Sequence, residues 1–208
     1  MKVSPSRSSL HRCRVIATLL ALFTPLNTIA ADHWMTVAEQ VGVLRNELER
    51  TQQPWPKLAN DGFTAAVQAK DDVALRRALT NEVFVIVQIN PEGRVKIARG
   101  PAAAELVAGR QKLFLVKIEN ASGGQQLLKP LSNFVGVPRN PFTLTIPTFG
   151  KLTPELVGHT VEYRLLEVTC QVAGKHELNM AVEAGQGSQD LGFRAEVPVL
   201  FTVAKPPR

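Results

Sequence analysis

His159–Val203 reads HTVEYRLLEVTCQVAGKHELNMAVEAGQGSQDLGFRAEVPVLFTV and holds the longest alternating pattern in the chain. Strand side chains point to opposite faces with period two, so alternation marks strands with one buried face. Leu178, Met180, Val182 and Ala184 alternate with Glu177, Asn179 and Glu183, and Ala195, Val197, Val199, Phe201 and Val203 form a second run. Before them Val161, Tyr163 and Leu165 are apolar at odd positions, and then the phase flips to Leu166, Val168, Cys170 and Val172. Two arrangements give such a flip: a β-bulge near Leu165-Leu166, which inserts one residue, or a strand middle buried on both faces. Ala173-Gly174-Lys175 then reads as a three-residue turn that pairs Val172 with His176 and sets Cys170 opposite Leu178, Val168 opposite Met180 and Leu166 opposite Val182. A two-residue turn would set each apolar side chain against a polar one, which a half-buried sheet resists.

Upstream, Val83–Val87 is β-branched and aromatic, and Asn90-Pro91-Glu92-Gly93 has type I turn preferences. With Gly93 left-handed, this is a hairpin that pairs Ile89 with Val95 and Val87 with Ile97. Pro101 opens an Ala-rich turn or helix through Val107. Gln111–Asn120 is apolar on both faces and reads as a central strand. Leu127–Phe134 holds a strand interrupted by Pro130, and Phe142, Leu144 and Ile146 alternate until Pro147 stops them. Leu152-Thr153-Pro154, followed by Tyr163, has the ingredients of the tyrosine corner of immunoglobulin-like sandwiches at a longer spacing. About seven or eight short strands, with turn signals and no helices between them, predict a mainly β fold: an antiparallel immunoglobulin-like β-sandwich over 82–208.

A short helical segment, 32–81, precedes it. Val37, Val41, Leu44 and Leu48 form a helical stripe ended by Pro54 and Pro56. Asp61 and Asp71 read as N-caps of two further short helices, through Ala69 and Leu79. Trp34 and Trp55 flank the first helix; they could form a sugar platform or a partner patch, but aromatic side chains mostly serve packing, and pinning the helix to the sheet is the favoured reading.

Residues 1–31 read as a secretory signal, which predicts a periplasmic or secreted protein. Lys2, Arg7, Arg12 and Arg14 make a basic start, Val15–Phe23 an apolar run, and Thr28–Ala31 a small-residue cleavage pattern. The run is shorter than the ~20 residues a membrane span needs, so no stable membrane insertion is expected after cleavage. Without this segment the 24 basic residues fall to 20 against 18 acidic, a net of about +2 rather than +6, which gives no warrant for nucleic-acid binding. Only Cys170 remains of the cysteines, so burial must hold the domain, at about 177 residues long enough for one core.

No catalytic constellation stands out. His33, His159 and His176 fall in no metal-ligand spacing, and neither a metal nor a cofactor is expected. Cys170 reads as a buried structural thiol, and Glu162 and Glu167 as solvated. The remaining candidate is the loop Gly185–Arg194, in which Gln186, Gln189, Asp190 and Arg194 could recognise a carbohydrate or a protein partner. The favoured alternative is a folded-back loop, with Asp190 and Gln189 capping local backbone and Arg194 paired to Asp190.

Two passages carry a resemblance. RVKIARGP (Arg94–Pro101) and GQGSQDLGFRAEVPVLF (Gly185–Phe201) resemble the N-terminal β-sandwich region of large secreted bacterial proteins of the PHP-type metallohydrolase class. In those proteins a hydrolase domain follows the sandwich; no residue of this sequence matches that domain, so its metal ligands are not carried over. The resemblance implies an extracytoplasmic accessory module. The expectation is thus an exported, non-catalytic interaction module, with a carbohydrate-binding domain working beside a separate hydrolase as the alternative.

Overall fold

The computed structural model describes residues 35–133, 140–185 and 193–207, so the expected signal segment lies outside them. Three helices come first. Thr36 opens α1 (Val37–Arg50) with a capping box: its Oγ1 accepts from Glu39 N at 3.2 Å, and its own N–H donates to Glu39 Oε2 at 2.7 Å. Val41, Leu44 and Leu48 form the buried stripe. Helix α2 (Lys57–Ala69) starts earlier than the Asp61 expected as its cap, because Pro56 takes the cap position and the turn after it is already helical. Asp61 lies inside the helix and pairs with Lys57 one turn back. Asp71 does cap α3 (Asp72–Ala78): its Oδ1 accepts from Val73 N and Ala74 N, both at 2.9 Å. Trp55 is buried and meets Phe63 edge-on at 6.3 Å, which is the packing role; Trp34 lies outside the described residues.

Nine strands follow among the described residues: β1 (Val83–Ile89), β2 (Val95–Arg99), β3 (Glu105–Val107), β4 (Gln111–Asn120), β5 (Leu128–Asn133), β6 (Phe142–Thr145), β7 (Val161–Cys170), β8 (Gly174–Ala184) and β9 (Arg194–Ala204). They make an immunoglobulin-like β-sandwich of a five-stranded sheet, β2-β1-β4-β7-β6, and a four-stranded sheet, β3-β9-β8-β5. Most pairs are antiparallel, but β1–β4 and β3–β9 are parallel. The helices cover the outer face of the five-stranded sheet, where Val41, Leu44 and Phe63 meet Leu113, Leu115 and Leu165. The inner face meets the second sheet through Phe84, Phe114, Leu166, Val168, Met180 and Phe201.

This double cover explains the phase flip in β7. The strand pairs with β4 from Gln111↔Thr169 to Glu119↔Val161 without a register shift, so the expected bulge near Leu165-Leu166 is absent. Val161, Tyr163 and Leu165 face the helices, while Leu166, Val168 and Cys170 face the second sheet. The apolar phase changes where one cover gives way to the other. Slipping the strand by one residue would expose several such side chains, at about 1.5–3 kcal/mol each, so a straight register wins. A register shift does occur in β1, between Val83 and Val85.

The RVKIARGP stretch clasps that irregular point. Gly100 N donates to Phe84 O at 2.8 Å and Ala102 N to Val83 O at 3.1 Å. The Arg99 guanidinium donates to the carbonyls of Phe84, Gly100 and Ala102 and lies 4.1 Å from the Phe84 ring centroid. A Cβ on Gly100 would stand 2.8 Å from the Val83 carbonyl carbon, so a bare α-carbon is needed there.

The β1–β2 hairpin has the expected register, Ile89↔Val95 and Val87↔Ile97, with Gly93 at φ +78° closing the turn. Three other expectations are corrected. Residues 105–107 form β3 rather than part of a turn or helix, because the parallel pairing with β9 supplies backbone partners that local propensity does not show. The strands β7 and β8 do not pair: 171–173 carry the chain across to the other sheet, and β8 pairs with β9 as Leu178↔Val199, Met180↔Val197 and Val182↔Ala195. Two inward-facing apolar runs satisfy alternation equally well across a core as side by side. Tyr163 forms no tyrosine corner, since it faces the helices and its hydroxyl has no hydrogen-bond partner among the described residues. Pro130 is accommodated because β5 is an edge strand.

Candidate functional site

Of the four residues expected to bind a ligand, Gln186, Gln189 and Asp190 lie outside the described residues. Arg194 begins β9 and is engaged by carboxylates on its own sheet, with Glu196 Oε1 at 2.8 Å and Glu183 Oε1 at 3.7 Å. Phe193, half-buried, lies where a Cβ on Gly93 or Gly185 would touch its ring, so the described end of this loop is tied to the β1–β2 hairpin.

Sequence reading placed Glu162 in solvent, and the structure buries it fully, with Arg164 only 1% exposed. Both stand on the inward phase of β7, beyond the second sheet, where the loop 153–159 closes over them. Glu162 accepts from the backbone N–H groups of Val157, Gly158 and His159 at 2.9–3.1 Å and from Arg164 Nη2 at 2.9 Å. Arg164 also donates to Thr153 O, Tyr163 O, Glu155 O and Gln40 Oε1. Burial pulls its guanidinium below the ordinary arginine range, and the Glu162 carboxylate opposes that pull. With every charge met, this pair is a clamp that fastens the loop and α1 to β7, and it offers a ligand nothing.

Cys170 is a fully buried free thiol, and burial raises its pKa, so it stays protonated and shielded. Among the described residues no group of three or more His, Cys, Asp or Glu side chains is placed to hold a metal ion, and no helix is long and apolar enough to cross a membrane. The described aromatic rings are buried or half-buried.

The far end of the β4–β7 pair differs. A groove of about 620 Å³ lies beside β3, lined by Glu105, Leu106 and Val107, by Thr202 and Ala204 of β9, and by Thr51–Pro54, Gln111 and Lys112. Lys112 shares the inward phase of Phe114, Val116 and Ile118. Its Nζ lies 5.1 Å from the Phe114 ring centroid, and it has no hydrogen-bond partner among the described residues. Burial lowers its pKa, and the nearby Glu105 carboxylate partly restores it. Arg110 adds an exposed cation. The wall at Gln53 is firm, since its Oε1 accepts from Leu113 N at 2.9 Å and its Nε2 donates to Gln111 O at 3.3 Å, completing the edge of β4 that β1 leaves open.

No family model and no curated protein matches the sequence. Among solved structures the chain is similar to the ASH / PapD-like domain of human CEP192 (PapD-like domain 7), at 9% identity and a TM-score of 0.29, over 62% of this chain and 88% of that chain.

The groove residues were missed by sequence reading. One signal was present: Lys112 stands in phase with three inward apolar side chains, as Glu162 and Arg164 stand in phase with Leu166, Val168 and Cys170. A charge in an apolar phase marks either a buried pair or the mouth of the core.

Proposed function

We propose that this chain is an exported, non-catalytic interaction module and that the groove beside β3 is its binding surface. The observation that carries the reading is the half-buried Lys112 ammonium, without a hydrogen-bond partner among the described residues, beside an uncovered strand edge, whereas the fully buried Glu162 and Arg164 are paired to each other. The signal-like residues 1–31 and the resemblance to sandwich regions of secreted PHP-type metallohydrolase proteins support a place outside the cytoplasm. A carbohydrate-binding role has less support, because the described rings give no exposed stacking row.

The test is site-specific photo-crosslinking in the native host. A crosslinker at the exposed Thr202, in the groove, should yield a discrete protein adduct; one at the exposed Lys129 of β5, at the opposite edge of that sheet, should yield none. Absence of any Thr202 adduct sinks the reading. The same samples test export, since the recovered chain should lack its first 30 or 31 residues.

A further inference from the structure

Building on the interaction reading, we infer that the groove takes an extended peptide segment, laid as an added strand along the outer edge of β3, with an acidic side chain against Lys112. The strand edge supplies the first half. Thr202 N donates to Ala104 O and Ala108 N to Ala204 O, both at 2.9 Å, so the peptide groups of residues 104, 106 and 108 face β9. In a parallel ladder the alternate groups then face away: Glu105 N–H and C=O and Val107 N–H point away from β9, along the unpaired edge of β3. The Val107 carbonyl is already taken by Arg110 N at 2.9 Å, which ends the edge. Unpaired strand edges are templates for added strands, and main-chain hydrogen bonds give such complexes their affinity.

Two other edges are blunted. The strand β5 carries Pro130, and β2 presents the exposed Lys96. The groove wall across from β3 is already served by the Gln53 amide, which bonds β4 as a strand neighbour would. The outer edge of β3 has no pairing strand among the described residues and borders a groove of about 620 Å³.

Charge names the occupant. Two cations, Lys112 and Arg110, face the groove against one carboxylate, Glu105. Lys112 rests on the face of Phe114 and is partly desolvated, so an incoming carboxylate would replace the water it has lost. A small anion would satisfy Lys112 alone, whereas a peptide backbone also matches the alternating donors and acceptor of Glu105 and Val107.

The test uses the full chain as bait for a displayed library of random twelve-residue peptides. Selected peptides should share an Asp or Glu. Lys112→Met should weaken them at least tenfold, with no further loss when the peptide acid becomes its amide, and Lys112→Arg should restore binding. N-methylation along the peptide should abolish binding at every second amide. Glu105→Pro should abolish binding with an unchanged melting temperature, because the N–H it removes points away from β9. Failure to select binders, indifference to Lys112→Met and Glu105→Pro, or an N-methyl scan without alternation would overturn the inference, and so would a dimer of this chain lost on Glu105→Pro, which would hand the groove to a second copy. A Thr202 adduct in cells together with any of these results leaves the interaction module standing and removes only the added strand; loss of both removes both.

Discussion

Arg164 and Lys112 are two cations on the inward phase of neighbouring strands, and they meet opposite fates. Arg164 sits toward the end of the β4–β7 pair that the loop 153–159 closes, where its N–H groups meet Glu162 and three backbone carbonyls. Lys112 sits about 13 Å further along, counted as four residues of strand rise on β4 from Val116, the cross-strand neighbour of Arg164. There the loop is replaced by a groove. A buried charge costs several kcal/mol unless it is paired and hydrogen-bonded. The chain meets that cost fully at one end; at the other it leaves the ammonium at the surface of the core. The first arrangement makes structure, and the second leaves room for a partner.

The comparison breaks first at the clamp. Glu162→Ala would leave Arg164 buried without its carboxylate and free three backbone N–H groups, and should cost about 3–5 kcal/mol. Urea unfolding monitored by circular dichroism reads this as a lower midpoint. A loss below ~1 kcal/mol would mean that the pair is hydrated and that the two ends do not differ in kind.

Gln53→Ala probes the firm wall of the groove. It leaves Leu113 N–H without its acceptor, and the expected loss is about 1–2 kcal/mol. An unchanged midpoint would show that water serves this edge, and the groove would then be wider than drawn.

Tyr163→Phe separates a closed-in polar group from an open one. The hydroxyl has no partner among the described residues, so at pH 8 removing it should leave stability equal or raise it by up to about 1 kcal/mol. Burial pushes the phenol from 10.0 up to about 12. A group raised in this way contributes stability fully below pH 10 and loses it as pH climbs to about 12. The wild type should therefore lose stability over that window faster than Tyr163→Phe, and parallel unfolding curves at pH 8 and pH 11 would refute the assignment.

The smallest effect is expected at Lys112. Lys112→Met should alter stability by no more than about 0.5 kcal/mol, because no ion pair is broken and the methylene stem is kept. A loss comparable to that of Glu162→Ala would make Lys112 a second clamp rather than the floor of a binding groove.

Local chemistry was legible at some places where the deciding atoms are near in the chain, though not at Asp61, which lies inside α2 rather than capping it. The Asp71 cap and the Asn90–Gly93 turn each depend on residues within four positions, and so does the β1–β2 register that the turn dictates. The apolar alternation of β8 and β9 also named their inward faces correctly. That much follows from φ/ψ preferences and from the period of a strand. Which run pairs with which was decided only in three dimensions: β7 and β8 are joined by a short link yet sit in different sheets, since inward faces match across a core as well as beside one another. The charged residues follow the same rule. Sequence reading put Glu162 in solvent and singled out neither Lys112 nor Arg164, whereas the straight β4–β7 register sets all three on the inward phase of their strands. Whether such a charge becomes a clamp or a site depends on what the rest of the chain lays over it, and here the loop 153–159, folding back onto the strand it leads into, reaches Arg164 but not Lys112.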